Sequence, residues 1–389
     1  MHILEIPSFF VPYGGLFCLD QSRSLASLGH EVRIIANVQL SVKRSLSEYV
    51  FSQRGMCKTE MDGITVYRSE LRGLPMCVKP NARRWVSGVQ KMFARYVKLH
   101  GKPDIIHAHC VKWAGYAASL ISEEYDIPFV ITEHLSSMIY AREFKGEMAD
   151  VWQIPLLRGA LKKADMVIPV SAELVDDLSV YFGKDYRWQS VSNMIDTDFY
   201  LYRQREPREG RPLRFCCLAN YDPRKGYDVL FDAFDMFNKE HPDAELHIAG
   251  NDTKGAECID EIKRHSSASR IFPYGVLDKH KVLELLYRCD CLILATRNEA
   301  QGLVLFESMS TGIPAITTDC VPMNVRIEGG CFIFPVDDAH ALYDMMNNVM
   351  SADGIDGKAL SMKVADVASP SVIGKKIEKV FEDVLHRRY

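Results

Sequence analysis

Short apolar segments alternate with longer amphipathic segments through most of the sequence. The apolar segments, such as 2–7, 103–109 and 128–134, have the length and composition of buried strands. The segments between them have the apolar spacing of helices of about 10–15 residues, and a parallel pair of strands needs such a crossover connection. The pattern predicts an α/β protein built from βαβ units on parallel sheets.

The alternation runs through the chain twice, and the second series starts at 213–219. Two series predict two doubly wound, Rossmann-like domains. We expect an N-terminal domain over 1–195, a C-terminal domain over 196–371, and a last helix, 372–389, that packs back on the N-terminal domain. The polar, proline-containing segment 200–212 is the predicted linker.

The composition is typical of a soluble globular protein, with 47% hydrophobic and 25% charged residues in a chain of 389. The formal net charge of −4 gives no indication of nucleic-acid binding. Eleven cysteines are scattered without a C-x-x-C pair, as expected for reduced thiols in a cytosolic protein. The sequence shows no signal peptide and no apolar run of about 20 residues, so we expect a cytoplasmic location.

Residues with binding chemistry follow the predicted strands at their carboxyl ends, where open α/β sheets bind ligands. The two familiar phosphate motifs are missing, because 14–15 is not part of G-x-G-x-x-G and 223–228 lacks the P-loop spacing. NAD-binding and P-loop functions are therefore disfavoured. The residues at the strand ends are Gly14, Gly15, His109, His134, Arg224, Lys225, Gly250 and Glu299.

The segment 297–319 places Glu299 before a glycine turn and Glu307 inside the helix that follows. Free backbone N–H groups at Gly302 and Leu303 would meet a phosphate or a sugar hydroxyl at the start of that helix. Glu307 lies about 7 Å further along the axis, at ~1.5 Å per residue, and would accept hydrogen bonds from a ribose diol. The spacing alone also fits a solvated loop glutamate followed by an exposed helix glutamate.

The basic turn Arg224-Lys225 lies between a predicted strand and a predicted helix. Two cations at this position would neutralise a diphosphate leaving group without a metal ion. A solvated basic turn fits the sequence equally well.

Two motifs raise the alternative of a metal site. The D-x-D at 196–198 has ligands suited to Mg²⁺ or Mn²⁺, but it lies at the start of the predicted linker. His107 and His109 stand two apart on a strand and therefore point to the same side. A zinc site like those of hydrolases would need a further His or Asp there, and His134 could supply one. We favour a buried His107 and no metal.

Taken in order, these motifs resemble the retaining glycosyltransferases of the GT-B fold, specifically glycosyltransferase family 4. The glutamate pair matches the E-x(7)-E signature of that family. The resemblance extends over nearly the whole chain and comprises PYGGL, LASLGHEVRII, PDIIHAH, IPFVITEH, ADMVIPVS, NMIDTDFY, RKGYDVLFDAF, AELHIAG and NEAQGLVLFESMSTGIPAITTD.

The resemblance implies two domains that face each other across a cleft and a nucleotide-sugar donor, a UDP- or GDP-sugar, bound mainly by the C-terminal domain. It implies transfer without a metal or other cofactor and with retention of the anomeric configuration. Transfer in the family is described as a front-side attack in which the leaving phosphate helps to deprotonate the acceptor. The expected acceptor is a glycan or a lipid-linked glycan, in surface polysaccharide or glycolipid synthesis.

Matched residue by residue, the resemblance assigns catalytic roles to Glu299, at the donor sugar, and to His109, near the transferred sugar. Glu307 would bind the ribose. The remaining matched positions are Arg224 or Lys225 at the diphosphate, Gly302 and Leu303 through their N–H groups, Gly250 on the donor side, and Gly14, Gly15 and His134 on the acceptor side.

The chain departs from the family pattern at two places. Asn220 stands where many members carry an arginine, so the diphosphate contact would fall to Arg224 or Lys225. Ala300, after the first glutamate, replaces the commoner glycine or phenylalanine. Two other functions fit the same motifs: a nucleotide-sugar epimerase of the GT-B fold, and a non-catalytic protein that binds nucleotide sugars.

The segment 79–102 carries seven Lys and Arg and neither Asp nor Glu. Read as a helix, it places aromatic and aliphatic side chains on one face and basic side chains on another, namely Arg84, Lys91, Arg95 and Lys98. Such segregation suits an anionic membrane surface, so we expect visits to the inner membrane face. A helix that covers a sheet with its apolar stripe and solvates its basic face would show the same pattern.

Overall fold

The computed structural model describes residues 1–42, 45–52, 55–144, 151–204, 210–351 and 355–388. The chain divides into two compact units, Met1–Met194 with Pro370–Tyr389 and Ile195–Ser369. These boundaries lie within two residues of 195/196 and 371/372, the boundaries expected from the sequence.

The described residues of the first unit form a seven-stranded sheet. Its strands are β1 (His2–Pro7), β2 (Glu31–Leu40), β3 (Cys57–Met61), β4 (Ile64–Arg72), β5 (Ile105–His109), β6 (Phe129–Glu133) and β7 (Met166–Pro169). They lie in the order β3-β4-β2-β1-β5-β6-β7, and only the edge pair β3–β4 is antiparallel. His109 pairs with Pro7 of β1 and Thr132 of β6, so these strands end at one edge of the sheet.

Helices connect these strands, as the alternation of apolar segments predicts. They are α1 (Leu16–Ser27), α2 (Leu46–Val50), α3 (Val78–His100), α4 (Tyr116–Tyr125), α5 (Ser137–Phe144), α6 (Gln153–Lys163) and α7 (Glu173–Phe182). A single π-helical turn, Val111–Gly115, joins β5 to α4.

The second unit has a six-stranded parallel sheet in its described residues. The strands are β8 (Arg214–Leu218), β9 (Glu245–Ala249), β10 (Ile271–Pro273), β11 (Cys291–Leu294), β12 (Ala315–Thr318) and β13 (Cys331–Phe334), in the order β10-β9-β8-β11-β12-β13. The helices are α8 (Tyr227–Glu240), α9 (Ala256–Ile262), α10 (Lys279–Arg288), α11 (Leu303–Ser310), α12 (Ala339–Ser351) and α13 (Gly357–Ala368).

The C-terminal helix α14 (Pro370–Arg388) belongs to the first unit, where it lies against α1. Its buried apolar side chains, Phe381 among them, share a cluster with Leu25 of α1 and Ile3 of β1. Ser24 Oγ donates a hydrogen bond of 2.5 Å to the Pro370 carbonyl. A Cβ on Gly374 would lie 2.1 Å from that hydroxyl, so the close approach of the two helices depends on glycine there.

The predicted linker 200–212 is wrong, because residues 200–204 and 210–212 belong to the second unit. Tyr200 is only 8% exposed and packs in the core of that unit. Its carbonyl accepts from Ser310 Oγ at 2.7 Å, and the Leu201 carbonyl accepts from Tyr287 at 2.9 Å. The polar composition of 200–212 gave no indication of these hydrogen bonds to backbone carbonyls. Residues 205–209 lie outside the described residues.

Helix α3 buries its apolar stripe inside the first unit, with Trp85, Val89, Phe93 and Tyr96 all less than 4% exposed. These side chains are therefore not available for insertion into a lipid surface, and that part of the membrane interpretation is wrong. The basic residues expected on the opposite face, Arg84, Lys91, Arg95 and Lys98, are exposed. Within the described part of the chain, none of the helices combines the length and the apolarity that crossing a membrane requires.

Candidate active site

The basic turn after β8 is built around Asp222 and Gly226. The Asp222 carboxylate accepts the Arg224 backbone N–H at 2.9 Å and caps a short 3-10 turn, Pro223–Lys225. Gly226 ends that turn with a φ of 62°, and a Cβ there would lie 1.9 Å from the Ala295 carbonyl oxygen. Only glycine therefore lets the turn lie against the end of β11. The sequence analysis did not single out Gly226, although it follows the basic pair directly.

The two features predicted separately, the basic turn and Glu299, are in direct contact. Lys225 Nζ donates to the Glu299 carboxylate. The two side chains are 14% and 10% exposed, so both charges are largely shielded from water. The alternatives of a solvated basic turn and a solvated loop glutamate are thereby excluded for this pair.

Backbone bonds hold the exit loop of β11 to the same turn. The Arg224 carbonyl accepts the Arg297 N–H at 2.7 Å and the Thr296 hydroxyl at 3.1 Å. The Arg297 guanidinium donates to Asp228 and Asp337, each at 2.6 Å. These bonds fix the loop that carries Glu299. Nothing in the sequence indicated this role of Arg297 except its position three residues after the strand.

The Arg224 side chain is partly buried, and its Nε finds no hydrogen-bond partner among the described residues. Its Nη1 makes one long contact, 3.5 Å, to the Asn298 carbonyl. Asn220, which stands at the position of the missing arginine, instead accepts from the Asn251 N–H at 3.0 Å and from Asn251 Nδ2 at 3.1 Å. The Arg224 guanidinium therefore keeps N–H donors that no described residue uses.

Gly302 precedes α11 in the left-handed conformation, with a φ of 86°, and no side chain caps the helix. The helix start predicted after Gly302 is thus observed, and no side chain occupies the first N–H groups of α11 as a cap. Glu307 follows one turn later and is half-buried. The Tyr200 hydroxyl hydrogen-bonds its carboxylate. Burial raises the pKa of Glu307 to about 7, against the opposing effects of Tyr200 and the Lys279 charge.

Gly250 ends β9 close to the end of β8. Its φ is 149°, and a Cβ there would lie 2.1 Å from the Ala219 carbonyl oxygen. Its N–H donates to the Gly275 carbonyl at 2.9 Å, and its carbonyl accepts from Thr253. Gly250 therefore permits a close approach of two strand ends, and its own N–H is already used within the fold.

In the first unit, Gly14 and Gly15 form the loop between β1 and α1. Both have positive φ angles, 101° and 79°. A Cβ on Gly15 would lie 2.2 Å from the Phe9 carbonyl oxygen. Gly15 is buried, whereas Gly14 is exposed, so of the two only Gly14 has its backbone open to solvent.

His107 and His109 point to the same side of β5, as the alternation predicted, and meet a buried carboxylate that the sequence analysis missed. Glu5 Oε2 lies 2.8 Å from His107 Nδ1 and 2.7 Å from His109 Nε2. All three side chains are fully buried. Burial alone would raise the pKa of Glu5, but the charges of the two histidines and the hydrogen bond from His109 outweigh it and lower the pKa to about 2.

The second ring nitrogen of His109, Nδ1, lies 3.3 Å from His134 Nε2. Burial lowers the pKa of His109 to about 4, so the ring is neutral at pH 7. Since its Nε2–H is donated to Glu5, Nδ1 is left to accept from His134. The Phe17 ring covers His134, with the ring centroids 3.7 Å apart. Both ring nitrogens of His109 are thus occupied, by Glu5 and by His134, and its side chain is fully buried.

The candidate metal ligands are arranged differently from the expectation. Among the described residues, the group that could hold a metal ion is Glu5, His107 and His109, without His134. The 2.7 Å contact of His109 with Glu5 is a hydrogen bond. His107 Nδ1 lies 2.8 Å from Glu5 without hydrogen-bond geometry, and the hydrogen bond of His107 joins its Nε2 to Thr132 Oγ1 at 2.6 Å. In the D-x-D segment, Asp196 accepts from Lys279 Nζ at 3.0 Å and from the Phe199 N–H at 3.1 Å, which is a structural role.

Comparison with known proteins tests the family that the motifs indicated. The profile of Glycosyltransferase Family 4 matches residues 15–199, and that of Glycosyl transferases group 1 matches residues 198–361. The chain belongs to glycosyltransferase family 4. The family recognised from the E-x(7)-E segment and the accompanying motifs is thereby confirmed.

Two curated relatives are similar to different shares of this chain. The glycogen synthase of Mycobacterium tuberculosis is 28% identical over 223 residues, which are 56% of this chain and 52% of that protein. The chain thus matches about half the length of that relative. TuaC of Bacillus subtilis, a glycosyltransferase assigned to teichuronic acid biosynthesis, is 25% identical over 338 residues, 80% of this chain and 78% of that protein.

A solved structure shows the same fold. Anabaena HepE in complex with UDP-glucose aligns with 98% of this chain and 100% of its own, with a TM-score of 0.71 and 16% sequence identity. The predicted GT-B architecture of two Rossmann-like domains is confirmed.

Proposed function

We propose that this family 4 enzyme transfers a sugar from a UDP- or GDP-sugar to a glycan or lipid-linked acceptor, with retention of the anomeric configuration and without a metal ion. The observation that carries the proposal is the Lys225–Glu299 pair at the carboxyl edge of the second sheet, directly before the uncapped start of α11. Cation, carboxylate and free N–H groups lie together where an anionic donor needs them.

Different residues of the second unit would contact different parts of the donor. Arg224, with unused donors, and Lys225 would bind the diphosphate, and the N–H groups at the start of α11 would add to the positive potential there. Glu307, one helical turn further, would accept from the ribose hydroxyls. Glu299 would contact the transferred sugar. When the phosphates arrive, Lys225 is shared between them and Glu299, which couples donor binding to the position of that carboxylate.

Relatives support the substrate class. The HepE structure contains UDP-glucose, and TuaC is assigned to teichuronic acid synthesis. A nucleotide-sugar donor and a surface polysaccharide acceptor are therefore the first substrates to test. In the first unit, the exposed Gly14 and the chain Glu5–His109–His134 would serve the acceptor side.

We also propose a cytoplasmic enzyme that contacts the inner membrane face through the exposed basic residues of α3. Met76 and Val78, just before and at the start of α3, are 98% and 58% exposed and would add shallow apolar contacts. Each Lys or Arg near an anionic surface contributes about 1 kcal/mol. The buried stripe of α3 takes no part.

A panel of UDP-, GDP- and ADP-sugars, screened by thermal shift, tests the donor, because a ligand that binds the folded state raises its melting temperature. The stabilising donor is then incubated with candidate acceptors, and the product's anomeric configuration is read by NMR. Conversion of the donor into an isomeric nucleotide sugar without acceptor would indicate an epimerase. Binding without hydrolysis or transfer to any acceptor would indicate a binding protein.

Co-sedimentation with vesicles tests the membrane contact. Binding is expected to need anionic lipid and to weaken as salt rises. It should fall when Arg84, Lys91, Arg95 and Lys98 are changed together to Ser. Wild-type protein that stays in the supernatant with anionic vesicles at low salt would refute the contact and leave a soluble acceptor.

A further inference from the structure

A pocket of about 450 Å³ opens in the first unit between the N-terminal parts of α3, α4 and α6 and the π-helical turn after β5. None of the glycosyltransferase roles above uses it. It lies at the carboxyl edge of the sheet, because Trp113 in its wall follows His109 by four residues. Ser8 Oγ donates to the His109 carbonyl at 2.8 Å and accepts from the Ala114 N–H at 3.1 Å, which ties the pocket wall to the strand ends.

The inner wall of the pocket is aromatic and aliphatic. The rings of Trp113 and Trp152 are nearly parallel, at 17°, with centroids 5.5 Å apart, and Tyr116 meets Trp113 edge-on at 6.2 Å. Leu120 and Leu156 complete the wall. All five side chains are half-buried, so an occupant would cover apolar surface that now faces the pocket.

The rim of the pocket is cationic. Lys79 and Arg83, one turn apart on α3, are exposed and line it, and Lys79 Nζ lies 5.5 Å from the centroid of the Trp152 ring. Among the described residues, no carboxylate lines the pocket or pairs with either cation. Lys112, near the same wall, is by contrast paired with Glu143. As far as the described residues go, the rim thus carries two positive charges that no carboxylate compensates, above an apolar wall.

We propose that this pocket binds an anion attached to an apolar chain, such as an alkyl or isoprenyl phosphate. The anion would lie between Lys79 and Arg83, and the first carbons of the chain would lie against the tryptophan pair. A bare sugar fits less well, because it carries no charge and would leave Lys79 and Arg83 without an anionic partner. The inference rests on the proposed function in one respect, since it makes this pocket the anchoring site of a lipid-linked acceptor.

The test uses decyl phosphate below its micelle concentration, added to the full-length protein. Trp113 and Trp152 are two of the four tryptophans, so binding is expected to change the intrinsic fluorescence saturably. Inorganic phosphate and decyl maltoside, which supply the anion alone and the chain alone, are expected to bind at least about tenfold more weakly, since each lacks one set of contacts.

Variants of α3 give a matched pair. Changing Lys79 and Arg83 together to Ser should weaken decyl phosphate binding about tenfold, because charge-assisted contacts are lost. Changing Lys91 and Arg95 to Ser removes the same charge from the same helix but leaves the pocket rim intact, so decyl phosphate should bind as to wild type. Both pairs are exposed, and unaltered melting temperatures will show that folding is retained.

Three results would overturn the proposal. If inorganic phosphate binds as tightly as decyl phosphate, the rim is a site for free anions. If decyl maltoside binds as tightly as decyl phosphate, the wall is a non-selective apolar patch. An equal loss in the Lys91 and Arg95 variant would show attraction to the whole helix instead of the pocket. Donor binding is measured separately by thermal shift. A protein that binds its donor but not decyl phosphate lacks this site only, so the two proposals can fail independently.

Discussion

Lys225 and Glu299 lie 74 positions apart in the chain and form an ion pair that is largely shielded from water. The pair joins the loop after β8 to the loop after β11, so the cation proposed for the diphosphate and the carboxylate proposed for the sugar are not independent. A change at either residue leaves the other with an uncompensated charge.

Glu299→Gln is expected to lower turnover more than it lowers donor affinity. The amide frees Lys225 for the diphosphate, whereas the carboxylate's contact with the reacting sugar is lost, and a contact made chiefly in the transition state acts on the rate. Steady-state kinetics with calorimetric donor binding measure the two effects. Glu328→Gln, an exposed glutamate of the same unit, is the control. Wild-type turnover in Glu299→Gln would remove this residue from the proposed mechanism.

Donor affinity is expected to increase with pH through about 7, the pKa of Glu307. Ribose hydroxyls donate, so they need the ionised carboxylate, which is the minor form below that pH. Glu307→Ala should weaken donor binding by roughly 1–3 kcal/mol above this pH, the cost of losing hydrogen bonds to a charged acceptor. Glu307→Gln should bind more weakly than wild type at high pH and show no such pH dependence. A wild-type affinity that is flat between pH 6 and 8 contradicts the assignment.

The first unit is expected to lose stability as pH falls from 6.5 towards 4. The folded pKa of His109 is lowered, so over that interval the unfolded chain binds a proton that the folded chain excludes. Urea unfolding at a series of pH values measures the slope. His109→Gln should reduce it, whereas His340→Gln, at an exposed site of the second unit, should leave it unchanged. Equal slopes in wild type and His109→Gln would contradict a neutral buried ring.

Gly226→Ala is expected to lower stability and donor affinity together, because the new Cβ would lie 1.9 Å from the Ala295 carbonyl and push the basic turn off β11. Gly329→Ala is the matched control in the same unit. Its φ is also positive, 80°, but the nearest atom to a Cβ there is Lys363 Nζ at 3.9 Å. The control should cost only the backbone strain, about 1–2 kcal/mol. If both variants bind donor equally well, the turn does not position the diphosphate contact.

Turnover is expected to survive exhaustive treatment with EDTA, since Arg224, Lys225 and the start of α11 supply the positive charge at the proposed diphosphate site. Metal analysis of the purified protein accompanies the assay. Complete loss of activity, with recovery on adding one divalent ion, would revive a metal role for the D-x-D or for the cluster of Glu5, His107 and His109.

The sequence predicted those parts of the fold and site that depend on local patterns. Apolar runs in the sequence located the strands, and with them the loops that follow the strands at the edge of each sheet. The alternation of side chains along β5 correctly placed His107 and His109 on one side of the sheet. The uncapped glycine start of α11 and the position of Glu307 one turn later also follow from local spacing. These features need only the periodicity of strands and helices.

Contacts between distant segments were not predictable in the same way. The pairing of Lys225 with Glu299 depends on β8 and β11 being neighbours, and strand order is not a property of either segment. Glu5 looked like one polar residue in an apolar strand, and only the register of β1 with β5 shows that it meets both histidines. Tyr200 was assigned to a linker because its neighbours are polar, although its ring packs in the second unit's core.

The return of α14 to the first unit has a consequence for biosynthesis. The second unit, 195–369, is continuous in sequence, whereas the first is a discontinuous domain whose last segment is translated after the second is complete. During synthesis the face of α1 that α14 covers stays open until α14 has been translated and has left the ribosome. The second unit can therefore close its core co-translationally, while the first unit waits for α14, and a premature stop codon before residue 370 would leave only the second unit whole.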